Sequence, residues 1–327
     1  MSRSGTEARF LPAALHALKA FGVDARTVAL AWHGENLTFR AEDFQGTVYA
    51  LRLHRSGHNS REELEAEFVW VQALADAGVS VPDRRLTCDG GAVAAIRTET
   101  GEERFASLAR WVNGMSLHQM LETCPEQLVQ GAHLAKLGAA TARMHAQAKA
   151  WRPPPGFVRR ALNFETLIGD APVWGHFDRH PALTRDERAV LTQARDDLRE
   201  RLAGQTAASS LIHGDLTLAN VMADGDGLRL IDFDDAGFGS PLYDLGTLLF
   251  HLVGEADYRR CEATFLEAYA AIEPLADDSL ALLSPMMLMR GLFLVGWFEQ
   301  RPKLSASRAF VALKAAVVSQ ARAFLDG

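Results

Sequence analysis

The stretch between Leu211 and Asp232 constrains this chain more than any other. Apolar Leu211-Ile212 runs into His213-Gly214-Asp215-Leu216-Thr217-Leu218-Ala219-Asn220, which sets an Asp and an Asn five residues apart. A second aspartate, Asp232, lies twelve residues beyond Asn220 and ends the mostly apolar run Leu228-Arg229-Leu230-Ile231. Between them, Asp224-Gly225-Asp226-Gly227 carries two Asp-Gly pairs, and such pairs favour tight hairpin turns because they accept positive φ. The spacing predicts a hairpin that returns Asp232 close to Asn220. Two oxygen ligands on adjacent strand ends suit magnesium, which takes few protein ligands and keeps waters and phosphate oxygens. The spacing alone is a weak signal, and a loop rich in capping Asp and Asn residues is the alternative reading.

The pattern of the chain changes once along its length. Leu11, Leu15, Leu18 and Phe21 have helical spacing over 11–21. Strand-like runs follow at 27–32, 37–41 and 47–54. The third, Thr47-Val48-Tyr49-Ala50-Leu51-Arg52-Leu53-His54, alternates as a half-buried strand does. Residues 60–77 read as a helix with Leu64, Phe68, Val71 and Leu74 on one face, stopped by Gly78; strand-like sequence resumes near 84–97 and 103–109. From about Leu117 the spacing is helical, at 130–148, 185–202, 241–253, 257–272, 279–299 and 305–325, while the Pro-, Trp- and Phe-rich segment 152–180 gives no clear element. The expected fold is α+β and bilobal. A small antiparallel β lobe with one main helix spans 1–109, a hinge spans 110–114, and a large, mostly helical lobe spans 115–327.

Composition narrows the function. With 327 residues, 48% of them hydrophobic, there is enough chain for a sizeable core. A formal net charge of -7 argues against a nucleic-acid binder, whose domains are usually basic. The three cysteines show no metal-ligand spacing and read as reduced thiols. Residues 1–10 lack the apolar core of a secretory signal. The run 286–298 contains Arg290, Gly291 and Gly296 and is too short for a membrane span; a buried helix is expected there. These features predict a cytoplasmic protein without nucleic-acid or membrane partners and leave its oligomeric state open.

The Asp–Asn–Asp set is the one that phosphoryl transfer from a nucleotide needs. One carboxylate orients and deprotonates an acceptor hydroxyl, while an amide and a second carboxylate hold magnesium against the phosphates. His213 to Asn220, Ile231-Asp232-Phe233-Asp234-Asp235 and Tyr243-Asp244-Leu245-Gly246 resemble the aminoglycoside phosphotransferase superfamily. That superfamily includes choline kinases, bacterial homoserine kinases and stress-response protein kinases, all with a protein-kinase-like fold. The resemblance runs from about residue 25 to 300 and is most specific over 211–246. It implies that Asp215 is the catalytic base, that Asn220 and Asp232 are the magnesium ligands, that His213 supports the catalytic loop and that Asp244 braces it. Asp232-Phe233-Asp234 lacks the glycine of the protein-kinase Asp-Phe-Gly, and only eleven residues separate Asp232 from Asp244. No phosphorylation-driven activation loop is expected. Asp234 and Asp235 either assist metal or substrate binding or act as solvated or capping residues.

The first lobe is expected to hold the nucleotide. His33-Gly34-Glu35-Asn36-Leu37-Thr38 lies where a phosphate-covering loop belongs, with Gly34 and Asn36 its candidate contacts. In kinases the third strand carries a Lys that contacts the phosphates and pairs with a helix Glu; the matching residue here is Arg52, a planar fork in place of a point charge. Among Glu62, Glu63, Glu65 and Glu67, Glu67 best fits the partner's place. The backbone at Trp111 and Val112 is the expected contact for adenine. His145 reads as a satisfied core or interface histidine. The resulting expectation is a magnesium-dependent phosphotransferase using ATP, with GTP as the alternative nucleotide. Its acceptor would be a small-molecule hydroxyl on an amino-alcohol, a homoserine-like compound or an aminoglycoside. A Ser/Thr protein kinase of the stress-response type and an inactive nucleotide-binding module are the rival readings.

Overall fold

Alternating burial along two adjacent strands builds the first sheet. Leu37, Phe39, Ala41 and Asp43 are buried on one face of β2 (Leu37–Asp43), and Tyr49, Leu51 and Leu53 on the same face of β3 (Val48–Leu53). With β1 (Ala25–His33), β4 (Arg84–Arg85), β5 (Ala94–Arg97) and β6 (Glu103–Arg110), they form a six-stranded antiparallel sheet ordered β1-β2-β3-β6-β4, with β5 also on β6. The apolar face packs on α1 (Arg3–Ala20) through Phe10, Ala13, Ala14, Ala17 and Leu18, with Phe21 just beyond its end. This helix begins well before the periodic stretch at 11–21, because its first two turns are polar. Asp43 fixes the β2–β3 turn by accepting from the backbone N–H groups of Gln45 and Thr47 at 2.9 and 2.8 Å.

The computed structural model describes residues 3–124, 126, 132–203, 209–225, 227–255 and 257–327. The chain forms two compact units: residues 1–117 with 152–159 and 221–234, and residues 118–151 with 160–220 and 235–327.

Besides the sheet, the first unit contains α2 (Arg61–Asp76), capped by a reciprocal pair in which Ser60 Oγ accepts from Glu63 N and Glu63 accepts from Ser60 N. α2 buries Leu64, Ala66, Glu67, Trp70, Val71 and Leu74. The predicted hairpin is present as β10 (Val221–Asp224) and β11 (Gly227–Leu230), with Val221 paired to Leu230 and β7 (Met115–Ser116) alongside β10. Its open end is where the chain arrives from Asn220 and leaves toward Asp232. Phe233 then packs its ring edge-on to Trp70 at 5.5 Å between centroids.

The second unit is helical around a three-stranded sheet, in which β12 (Gly237–Gly239) lies parallel to β8 (Ala161–Leu162) and antiparallel to β9 (Ser210–Ile212). Its helices are α3 (Leu117–Thr123), α4 (His133–Ala150), α5 (Phe164–Leu167), α6 (Arg185–Leu202), α7 (Pro241–Phe250), α8 (Tyr258–Ala270), α9 (Asp277–Ala281), α10 (Leu283–Glu299), α11 (Pro302–Ser305) and α12 (Arg308–Leu325). The segment without a clear period contributes core: Leu167, Ile168, Trp174 and Phe177 are buried with Met289, Leu292 and Phe293 of α10. Gly175 and Gly296 make this packing possible, since a Cβ on Gly175 would lie 2.3 Å from the Gly296 carbonyl oxygen and one on Gly296 would lie 2.4 Å from that of Gly175. The segment Asp277–Glu299 is long and apolar enough to cross a membrane by length and composition, but 67% of its apolar window is buried inside the protein. This fits the expected buried helix.

Candidate active site

In the second unit, β9 delivers the chain to the loop at His213, and Asp244 holds that loop by its backbone. One Asp244 oxygen accepts from His213 N at 2.8 Å and the other from Gly214 N at 2.9 Å. Asp244 is fully buried in the first turn of a helix capped by Ser240. His145 Nε2 lies 3.1 Å from an Asp244 oxygen, and its Nδ1 lies 2.9 Å from the Tyr269 hydroxyl. The histidine expected to be a satisfied core residue is therefore one, and it orients the brace. Gly214 has φ +80°, and a Cβ there would sit 2.4 Å from the Asp235 carbonyl oxygen. No other residue fits.

The turn after Gly214 presents Asp215. Asn220 Nδ2 donates to the Asp215 carboxylate at 2.9 Å and to its carbonyl oxygen at 2.8 Å. Nδ2 makes both bonds. The second Asp215 oxygen accepts from Arg290 Nη2. Burial raises the Asp215 carboxyl, but the charge and hydrogen bond of Arg290, with the charge of His213, hold the group below the usual carboxylate range. Arg290, 3% exposed, shows in the sequence only as an interruption of an apolar run. That interruption is the available signal: a lone charge in such a run needs a partner.

In the first unit, the sheet face opposite α1 carries Arg52. Arg52 Nη1 donates to Asp232 Oδ1 at 2.6 Å, and Asp232, with φ 66°, is the one non-glycine residue at positive φ among those described. Backbone strain of this kind concentrates at functional sites. Glu67 is 1% exposed and pairs with Arg84 Nη1 at 2.6 Å rather than with Arg52. The expected Arg52–Glu67 pair is thus corrected, because Asp232 takes the Arg52 fork and the adjacent edge strand brings Arg84 to the helix. Burial raises the Glu67 carboxyl; the charges of Arg84, His54 and Arg159 together keep it below its usual range. Glu67 Oε2 has no hydrogen-bond partner.

Asp234, whose role the sequence leaves open, is a buried clamp. Its Oδ2 accepts from Asn36 Nδ2 at 3.0 Å, and its Oδ1 accepts from Asn59 Nδ2 at 3.1 Å and lies 3.2 Å from His54 Nδ1. Arg159 Nη2 donates to its carbonyl oxygen at 2.8 Å. Burial raises the Asp234 carboxyl, yet the hydrogen bond and charge of His54, with Arg52 and Asn36, hold it well below the carboxylate range. Asn36 Oδ1 in turn accepts from Arg55 N at 2.9 Å, so both ends of this side chain are used to pin the β1–β2 loop. Gly34 N donates to Asn36 O at 3.1 Å within that loop. Trp111 N donates to Val48 O at 3.0 Å, the Trp111 ring faces Arg40 Cζ at 5.9 Å, and half-buried Val112 follows. Across β2, β3 and β6, Arg40, Ala50 and Ala109 pair in one row, leaving a small-residue floor beside Arg52.

Among the described residues no group of three or more His, Cys, Asp or Glu side chains could hold a metal. A magnesium ion does not require one, since it binds through one or two carboxylates plus phosphates and waters. Asn220 Oδ1 and the Asp232 carboxylate, 37% exposed, fit that donor chemistry.

The fold is that of a protein-kinase-like phosphotransferase. Residues 27–282 match the model of the APH phosphotransferase enzyme family. The chain belongs to that family and is a kinase. A structure of a microcompartment-associated aminopropanol kinase superposes with a TM-score of 0.80 at 27% identity, over 96% of this chain and 95% of the other. An amicoumacin kinase, hAmiN, solved with AMP-PNP, Ca2+ and Ami, shares the fold at a TM-score of 0.74 and 22% identity, over 91% and 89% of the two chains. Amicoumacin kinase of Bacillus subtilis strain 168 is 24% identical over 213 residues, 63% of this chain and 57% of that protein.

Proposed function

We propose that this kinase moves the γ-phosphoryl group of ATP to a hydroxyl of a small molecule in the cytoplasm. The observation that carries the reading is the presentation of Asp215: a carboxylate on a loop whose backbone is braced by a fully buried aspartate, one oxygen held by Asn220. Asp215 orients the acceptor hydroxyl and takes its proton late, since the transition state is loose and demands little basicity. Asn220 and Asp232 are the proposed magnesium ligands. The bound ion supplies charge neutralisation at the phosphates. Arg52 contacts the phosphates, held at the site by Asp232. The floor of Ala50 and Ala109, with Trp111 and Val112 at its edge, receives the base.

The amino-alcohol and antibiotic kinases among its structural neighbours support a small-molecule acceptor. The test is nucleotide consumption with magnesium, screened against amino-alcohols, homoserine, aminoglycosides and a generic protein substrate. Turnover with a small hydroxyl compound that disappears in Asp215→Asn supports the reading. Phosphorylation of the protein substrate alone would replace it with a protein kinase, and no nucleotide binding at all would end it.

A further inference from the structure

Arg290 is the only charged residue of α10 before Glu299, in a helix whose residues Leu283 and Pro285 to Phe293 are all buried. Its Cζ lies 4.9 Å from the Phe293 ring centroid, and the buried Tyr243 hydroxyl is its other polar neighbour. A guanidinium is costly to desolvate in such surroundings, and the carboxylate that meets it is Asp215. Apolar side chains of similar volume commonly replace buried ion pairs without loss of stability, so core packing alone gives no reason for an arginine here. The Asp215 carboxylate is held at both oxygens, by Asn220 from within the loop and by Arg290 from a helix 75 residues later.

We propose that Arg290 is a positioning residue for phosphoryl transfer: its fork fixes the plane of the Asp215 carboxylate that meets the acceptor hydroxyl. The inference rests on the reading of Asp215 as the base. It adds that the pair carries no net charge, so the acceptor need not be cationic to balance Asp215. A lysine at this position keeps the charge and loses the planar fork.

The test compares the wild-type chain with Arg290→Lys, Arg290→Met, Asp215→Asn and the Asp215→Asn/Arg290→Met double variant. Fold is followed by circular dichroism, Mg-ATP affinity by calorimetry, and transfer to the acceptor found by the screen, or to water where none is found. Arg290→Met is expected to lose about 10²-fold in kcat, the scale of a small misplacement of a reacting group, with Mg-ATP affinity within about twofold of wild type. Added guanidinium ion should restore part of that loss and none of the loss in Asp215→Asn. The double variant should be no slower than Asp215→Asn, because an arginine that acts through Asp215 has nothing left to position. If Arg290→Met does not fold, Arg290→Lys decides: a reduced kcat at unchanged Mg-ATP affinity supports the proposal, and wild-type kcat overturns it. Losses that multiply in the double variant also overturn it, leaving the kinase reading standing. A wild-type chain that neither binds nor turns over Mg-ATP overturns both.

Discussion

Asn36 and Asp234, 198 positions apart in the chain, meet through a hydrogen bond of 3.0 Å that joins the β1–β2 loop to the residue that replaces the glycine of Asp-Phe-Gly. Asp234→Ala leaves the side chains of Asn36 and His54 without this acceptor, while Asn59 keeps its bond to the backbone carbonyl of residue 234, at about 1–3 kcal/mol for each buried donor left unpaired. A drop in Tm is expected, together with faster amide exchange at residues 34–36. Nucleotide binding should weaken roughly tenfold as the loop loosens, in line with the net worth of one such bond. Unchanged exchange at 34–36 would show that Asp234 does not hold the loop.

Asp215→Asn should cut turnover by about 10²–10⁴-fold, the range for a lost general base, with Mg-ATP affinity retained. Asp215→Ala should be less stable than Asp215→Asn as well as inactive, because it leaves the 3%-exposed Arg290 without the acceptor oxygen at position 215. Thermal denaturation of the two variants side by side checks the ordering.

Replacing Asp232 separates strain from ligation. Asp232→Ala should abolish the magnesium dependence of nucleotide binding in calorimetry. It should also be less stable than Asp232→Gly, since a φ of 66° costs a side-chain-bearing residue about 1–2 kcal/mol that glycine avoids. Equal stability of the two would mean that the backbone relaxes.

The Glu67–Arg84 pair predicts a pH dependence. The folded carboxyl is depressed by the charges of Arg84, His54 and Arg159, so its contribution is fully present above the unfolded value of about 4.3 and is lost as pH falls toward the lower folded value. Glu67→Ala should cost about 3–5 kcal/mol at pH 7, as expected for breaking one side of a buried pair. The gap to wild type should close below about pH 4, and Glu67→Ala/Arg84→Met should recover part of the loss. Denaturant melts at neutral, mildly acidic and strongly acidic pH measure all three effects.

The strand alternation of β2 and β3, the capped helix α2 and the Asp-Gly hairpin are legible in the sequence because each is written in local periodicity or turn chemistry. Asp215, Asn220 and Asp232 are legible as a spaced motif. The arginine that orients Asp215 and the residues that hold Glu67 and Asp234 are not. Arg290, Arg84, Asn59 and Arg159 come from distant segments, and nothing in local sequence says which acidic group a buried arginine will meet. Glu67 stands out correctly as the unusual glutamate of its helix, but its arginine is not the one expected, because pairing depends on strand order at the sheet edge. The segment 152–180 is opaque because its core residues have no helical or strand period and depend on the reciprocal fit of Gly175 and Gly296.

The first unit takes its last segment from residues 221–234. During synthesis, its sheet and α2 can form from the first 117 residues, but the clamp on the β1–β2 loop must wait for Asp234 to leave the ribosome. A nascent chain stopped before that point carries a sheet whose Asn36, His54 and Asn59 lack their shared acceptor. The order of translation thus makes the β1–β2 loop one of the last parts of its own unit to set.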